Sequence, residues 1–178
     1  MKKKEIIVIF LVVGLFLFFL SIPFLMLIGV WDYFVYNKSV STKEDVFEMV
    51  LENQVEFEKI VADMKVLLED SNEDIIILDG REEYREQGIK SLLFKQYPIS
   101  AVSVKNCDLV YEVSIHLQFC PKGYTYWGVY YTDDDEPSTW GVGTLEECDG
   151  IYTQEGSYFK YETQRIVEHW YYYQCWTR

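Results

Sequence analysis

The residues best suited to redox or metal chemistry in this 178-residue chain are four cysteines and two histidines. Cys107, Cys120, Cys148 and Cys175 form an even set, which on an exported segment reads as disulfides, with three connectivities that sequence leaves open. Cys107 and Cys120 stand at opposite ends of one predicted strand, so a direct bridge between them is geometrically poor unless the loops fold back. The chain contains no C-x-x-C, which weighs against thioredoxin-type redox chemistry and against a zinc ribbon. By strand parity His116 shares a face with Cys120, and His169 with Cys175. These four are the residues that could converge on a metal, yet their spacing matches no standard zinc pattern, and the expectation is no metal and no cofactor.

Other chemistries are more thinly represented. Asp133-Asp134-Asp135-Glu136, followed by Pro137, is dense in carboxylate oxygens but lacks the alternating ligands and the glycine of a calcium loop, so it reads as a solvated turn. There is no nucleophile elbow, H-E-x-x-H, phosphate loop or dinucleotide fingerprint, and Gly141-Val142-Gly143 reads as a flexible loop. No spacing selects a carboxylate pair for glycoside hydrolysis. No catalytic residue is therefore assigned, and the chain is expected not to be an enzyme; an envelope hydrolase or a metal-dependent enzyme stands as an alternative.

Aromatic side chains are the richest resource for recognition. Of 31 in the chain, fifteen fall between Tyr124 and Trp176. Tyr and Trp combine a stacking face with a polar edge, and they also pack well in sheets. If Tyr171 and Tyr173 face the helix, then Trp170, Tyr172 and Trp176 form a stripe on the opposite face, and that stripe is the expected contact surface.

These groups must be positioned by a chain that is 49% hydrophobic, 25% charged and carries a net charge of −13. The composition is too apolar for disorder and too acidic for a nucleic-acid binder. Residues 1–31 hold three lysines and one glutamate, so the remainder carries −15. Ile6 to Trp31 is an apolar run of 26 residues. As a helix it would reach roughly 39 Å, enough to cross a hydrocarbon core of about 30 Å. Lys2, Lys3 and Lys4 precede it, which predicts an amino end in the cytoplasm and the rest of the chain outside. The small-x-small site of a cleaved signal is missing, so an uncleaved signal-anchor is expected. Asn37-Lys38-Ser39 matches a glycosylation sequon but lies too near the predicted membrane to be given weight.

The predicted organisation is a basic tip (1–5), a transmembrane signal-anchor (6–31), a juxtamembrane linker (32–40) and an extracytoplasmic domain (41–178). Ser41 and Glu44 fit a capping box, which opens one long amphipathic helix running to about Asp70. Ile75 to Leu78 reads as a short strand or buried turn, and Glu82 to Lys95 as a second helix. Val110 to Cys120 alternates with a period of two, so Val113, Ile115 and Leu117 face a core while His116 faces away. With Ile99 to Val104, Tyr124 to Thr132, Tyr158 to Glu162 and Ile166 to Trp176, this predicts an α+β fold. One or two helices would pack on an antiparallel meander of about five strands.

The expected function is non-enzymatic binding of a protein or cell-envelope component by a single-pass, membrane-anchored domain. An accessory or immunity-type subunit docking a multipass partner through residues 6–31 is the alternative within the binding class.

Overall fold

The computed structural model describes residues 40–107, 110–117 and 125–177. Helix α1 (Lys43–Glu52) opens on a capping box one residue later than predicted. Thr42 Oγ1 accepts from the Asp45 N–H at 3.1 Å, and the Asp45 carboxylate accepts from the N–H groups of Thr42 and Ser41, both at 2.9 Å. Those backbone donors hold the Asp45 carboxyl below its ordinary range.

The predicted single helix is broken at Asn53, where α1 ends and α2 (Gln54–Asp70) begins. Asn53 leaves helical geometry, and its Nδ2 donates to the Met49 carbonyl (2.8 Å) and to the Tyr97 hydroxyl (3.0 Å). The side chain thus satisfies a carbonyl that the helix end would leave open. The apolar stripe survives the break, with Val46, Val50, Phe57, Ile60, Met64 and Leu68 buried, although Leu51 turns out to solvent.

The expectation of an α+β fold with helices on an antiparallel sheet of about five strands is corrected. The described chain is dominated by one eight-stranded antiparallel sheet: β1 (Ile75–Asp79), β2 (Ile99–Cys107), β3 (Val110–Leu117), β4 (Tyr126–Thr132), β5 (Glu146–Cys148), β6 (Ile151–Glu155), β7 (Phe159–Val167) and β8 (Trp170–Thr177). Its helices are few and short; the predicted second helix is two fragments, α3 (Arg81–Glu86) and α4 (Leu93–Gln96). No helix among the described residues is long and apolar enough to cross a membrane, and the predicted span 6–31 lies outside the described residues. Strands β5 and β6 escaped the sequence reading because Glu146-Glu147-Cys148 is wholly exposed and Ile151 to Glu155 alternates weakly.

Nor is the sheet a simple meander. Its order is β1-β2-β3-β4-β8-β7-β6-β5, so after β4 the chain crosses to the far edge and winds back until β8 lies against β4. Helices α1 and α2 cover one face, burying Val102, Val104, Val113, Ile115, Trp127, Trp170 and Tyr172 beneath them. On the opposite face the crossover, residues 133–145, lays Trp140 and Leu145 over a second cluster of Tyr130, Tyr161, Tyr171, Tyr173 and Cys175. Gln154 secures it by accepting from the Trp140 N–H (2.8 Å) and donating to the Val142 carbonyl (3.2 Å).

Candidate functional site

In β8 the two faces are exchanged relative to the sequence reading. Trp170, Tyr172 and Gln174 point toward the helices, and Tyr171, Tyr173 and Cys175 toward the crossover. Trp170 meets Phe57 edge-on at 5.2 Å and Tyr131 at 5.4 Å, and Tyr172 lies 6.0 Å from Phe47. Both are buried in the helix-covered core and unavailable as a contact stripe. Trp176, half-buried, keeps the Lys160 ammonium 5.9 Å above its ring. The reversal has a simple cause: large aromatics occupy both parities of Trp170-Tyr171-Tyr172-Tyr173, so alternation alone cannot choose which set meets the helices.

The cysteines and histidines are dispersed. In the sheet order Cys107 on β2, Cys175 on β8 and Cys148 on β5 are separated from one another by three strand spacings or more. That is roughly 14 Å, twice the Cα separation a disulfide bridges. Cys120 lies outside the described residues. His116 is level with Gly128 and His169 with the Thr132 end of β4, four residues apart along one strand, or roughly 13 Å. His169 Nδ1 is engaged with the Thr132 carbonyl at 2.9 Å, and among the described residues no group of three or more potential ligands converges.

The acidic run 133–136 is structural. Asp133 pairs with Lys65 of α2 at 2.5 Å, and Asp135 pairs with Arg165 while accepting from the His169 N–H at 2.6 Å. Burial works to raise the Asp133 carboxyl, but the Lys65 ammonium together with hydrogen bonds from the Tyr131 side chain and the Tyr111 backbone holds the group below its ordinary value. Two of the four acids therefore anchor the crossover at its start.

Beneath the crossover lies a cleft of about 130 Å³ containing His116, Glu112, Ser138 and Tyr173. Its polar groups are mutually engaged: His116 Nδ1 is hydrogen-bonded to the Tyr173 hydroxyl, Ser138 donates to Glu112, and Lys105 reaches Glu112 at 2.9 Å. Burial pushes the Tyr130 hydroxyl up to about 12, and the Tyr161 hydroxyl far above its usual value. Such a saturated network fixes the crossover and leaves little unspent bonding capacity for a ligand.

Burial also lowers the His116 imidazole below its ordinary value, with Glu112 opposing. The unfolded imidazole takes a proton near pH 6.5 and the folded one only at lower pH, so protons favour the unfolded chain in that interval. Stability should fall as pH drops through about 6.5. Urea midpoints at pH 7.5, 6.5 and 5.5 should show this slope, and His116→Gln should flatten it; an unchanged slope would refute the assignment.

A larger cavity, about 500 Å³, opens on the helical side between α2, α3, α4 and the loop 87–92. That volume is in the range of small-molecule sites. Tyr84 and Phe94, stacked on one another at 4.0 Å and 15°, lie buried behind it together with Ile89. Leu92 sits 57% exposed at the mouth. The Tyr84 hydroxyl is buried without a hydrogen-bond partner among the described residues, and burial first, then the Asp79 and Glu83 carboxylates, raise its pKa.

Four cations line this cavity, Lys59, Arg85, Lys90 and Lys95, against the single carboxylate of Glu56. Glu56 is already occupied, accepting from Ser91 Oγ at 2.9 Å and from the Leu92 N–H at 3.4 Å. Lys59, one turn later on α2, donates to the Lys90 carbonyl at 3.0 Å. The two side chains fasten the loop 87–92 to α2 and so fix the mouth. Sequence reasoning missed this site. The available signal was local: Arg81, Arg85, Lys90 and Lys95 crowd fifteen residues of a strongly acidic chain.

No protein-family model matches the chain, and no curated protein or solved structure shows significant similarity to it.

Proposed function

We propose that the chain is a non-enzymatic binding domain, held at a membrane by its apolar run 6–31 with residues 41–178 outside, and that its binding site is the basic cavity between α2, α3 and α4. One observation carries the reading: four of the domain's scarce cations gather around a cavity of ligand size in a segment of net charge −15. Clustered like charges repel in a free protein, so the arrangement gains most when an anion enters. Arg85, Lys90 and Lys95 suit capture and orientation of an anion; Ser91, Glu56 and Lys59 are spent on holding the loop. Trp170, Tyr171, Tyr172 and Tyr173 of β8, by contrast, serve the two cores.

Thermal unfolding of the full-length chain in inorganic sulfate tests this. At ten times its dissociation constant a bound ion adds about 1.4 kcal/mol of stability. Sulfate also stabilises proteins generally by exclusion from their surfaces, so the informative quantity is the saturable part lost in Arg85→Glu/Lys95→Glu. A rise in Tm that persists undiminished in that variant, or no saturable rise in either protein, would sink the proposal.

A further inference from the structure

We infer that the outer edge of β1 is a strand-addition site, and that its partner is an extended cationic segment: alternating apolar residues with Lys or Arg at both ends. Among the described residues the sheet ends at β1 on one side and β5 on the other. Strand β5 is three exposed residues, Glu146-Glu147-Cys148, short and charged as protected edges are. Strand β1 is Ile-Ile-Ile-Leu-Asp and carries no lysine, proline or bulge. Its register fixes which backbone groups are open. The Gly80 N–H donates to the Ser100 carbonyl at 3.0 Å, and the Asp74 carbonyl accepts from the Asn106 N–H at 3.4 Å. Ile76 and Leu78 share that parity, so they spend both backbone groups on β2. Ile75 and Ile77 therefore turn N–H and C=O away from β2. The Asp79 N–H, of the same parity, is taken by the Glu83 carboxylate at 2.6 Å, which closes the open edge at that end. The side chains of the two open residues are also uncovered: Ile75 is 49% and Ile77 59% exposed, on the face away from the helices. An added antiparallel strand gains hydrogen bonds from the edge and specificity from alternate side chains laid beside these two. Charge chooses the partner. Residues 69–83 hold seven carboxylates against the one guanidinium of Arg81. Exposed Glu73 and Asp74 lie at one end of β1, and exposed Asp79 and Glu82 at the other. A second copy paired β1 to β1 would bring its Glu73 and Asp74 against Asp79, like charge to like charge.

The inference is independent of the anion cavity, and peptide binding to the purified full-length chain tests it. The probe is the fluorescent-labelled peptide KKVTVTVKK, blocked at both ends, with its valines on the isoleucine face. In an antiparallel pair the valine N–H groups then point at Ile75 and Ile77, and the threonine N–H groups point away. Anisotropy should show one peptide per chain. N-methylation of the valines, or exchange of the four lysines for glutamate, should weaken binding by about tenfold or more, and N-methylation of the threonines by less than about threefold. Ile77→Pro removes only an outward N–H, so the fold should stand and binding should fall by about tenfold. Amide exchange followed by NMR reads the edge directly: Ile75 and Ile77 should exchange fast in the free chain and become protected with peptide, while Ile76 and Leu78 stay slow throughout. No binding, equal binding of the two methylated peptides, equal binding of the lysine and glutamate peptides, or binding without protection of Ile75 and Ile77 would overturn the proposal. So would protection of those two amides before peptide is added, since the edge would then be occupied by the chain itself or by a second copy.

Discussion

Replacing Trp170 by alanine is expected to destabilise the domain by about 3–5 kcal/mol, the usual range for deleting a fully buried large aromatic. Only 1% of Trp170 is exposed. Its indole is the point where α2, through Phe57, meets the centre of the sheet, through Tyr131. The loss removes both edge-on ring contacts and leaves a cavity that α2 cannot fill without leaving its other partners. For a domain whose whole stability is typically about 5–15 kcal/mol, that is a large share of the total. Urea denaturation should show a large drop in midpoint for Trp170→Ala and a change below about 1 kcal/mol for half-buried Trp176→Ala. Equal small effects would show that Trp170 is not a core residue. A double Trp170→Ala/Trp176→Ala variant that loses a partner therefore reports a damaged core, and says nothing of a recognition stripe.

The second large effect is expected at Gly128, in the middle of β4 between His116 of β3 and Tyr173 of β8. A Cβ built there would stand 2.1 Å from the Ile115 carbonyl oxygen and 3.2 Å from the His116 Cα. Both are main-chain atoms of a paired strand, so no side chain can rotate away, and the ladder itself must open. Gly128→Ala should cost at least the upper end of the roughly 1–3 kcal/mol typical of overpacking. Gly150→Ala is the matched control: a Cβ meets nothing within 4 Å there, but φ is +75°. Its cost should be the left-handed backbone penalty, about 1–2 kcal/mol. Denaturant midpoints of the two variants that fall in the opposite order would refute this account.

Much of the sheet was legible because half-buried strands announce themselves by alternation. Val113, Ile115 and Leu117 on β3 face the helix-covered core as their spacing required. Orientation was legible only where one parity was polar. Strand β8, with aromatics on both, carried no such mark, and the two faces became distinguishable only once Phe47 and Phe57 met Tyr172 and Trp170. The break at Asn53 was hidden because the apolar stripe runs straight through it. The cavity was hidden for a different reason: its cations come from positions 59, 85, 90 and 95, and their convergence depends on α2 crossing the sheet to reach the loop 87–92. Local charge density could have flagged Arg85, Lys90 and Lys95, while Lys59 required the tertiary structure.

The placement of β8 beside β4 also governs the order in which the molecule can be completed. Thirty-seven residues separate Thr132 from Trp170, so during synthesis β4 emerges well before the strand that will cover it. Until then its hydrogen-bonding edge is open, and Trp127 and Val129 lack part of their cover. The segment β5 to β8 is a local up-and-down ribbon able to form early, whereas its junction with β1–β4 requires closure of the whole crossover. Assembly of the two halves should therefore be the slow event in refolding, and a nascent chain halted between β4 and β8 the species most prone to pair with its neighbours.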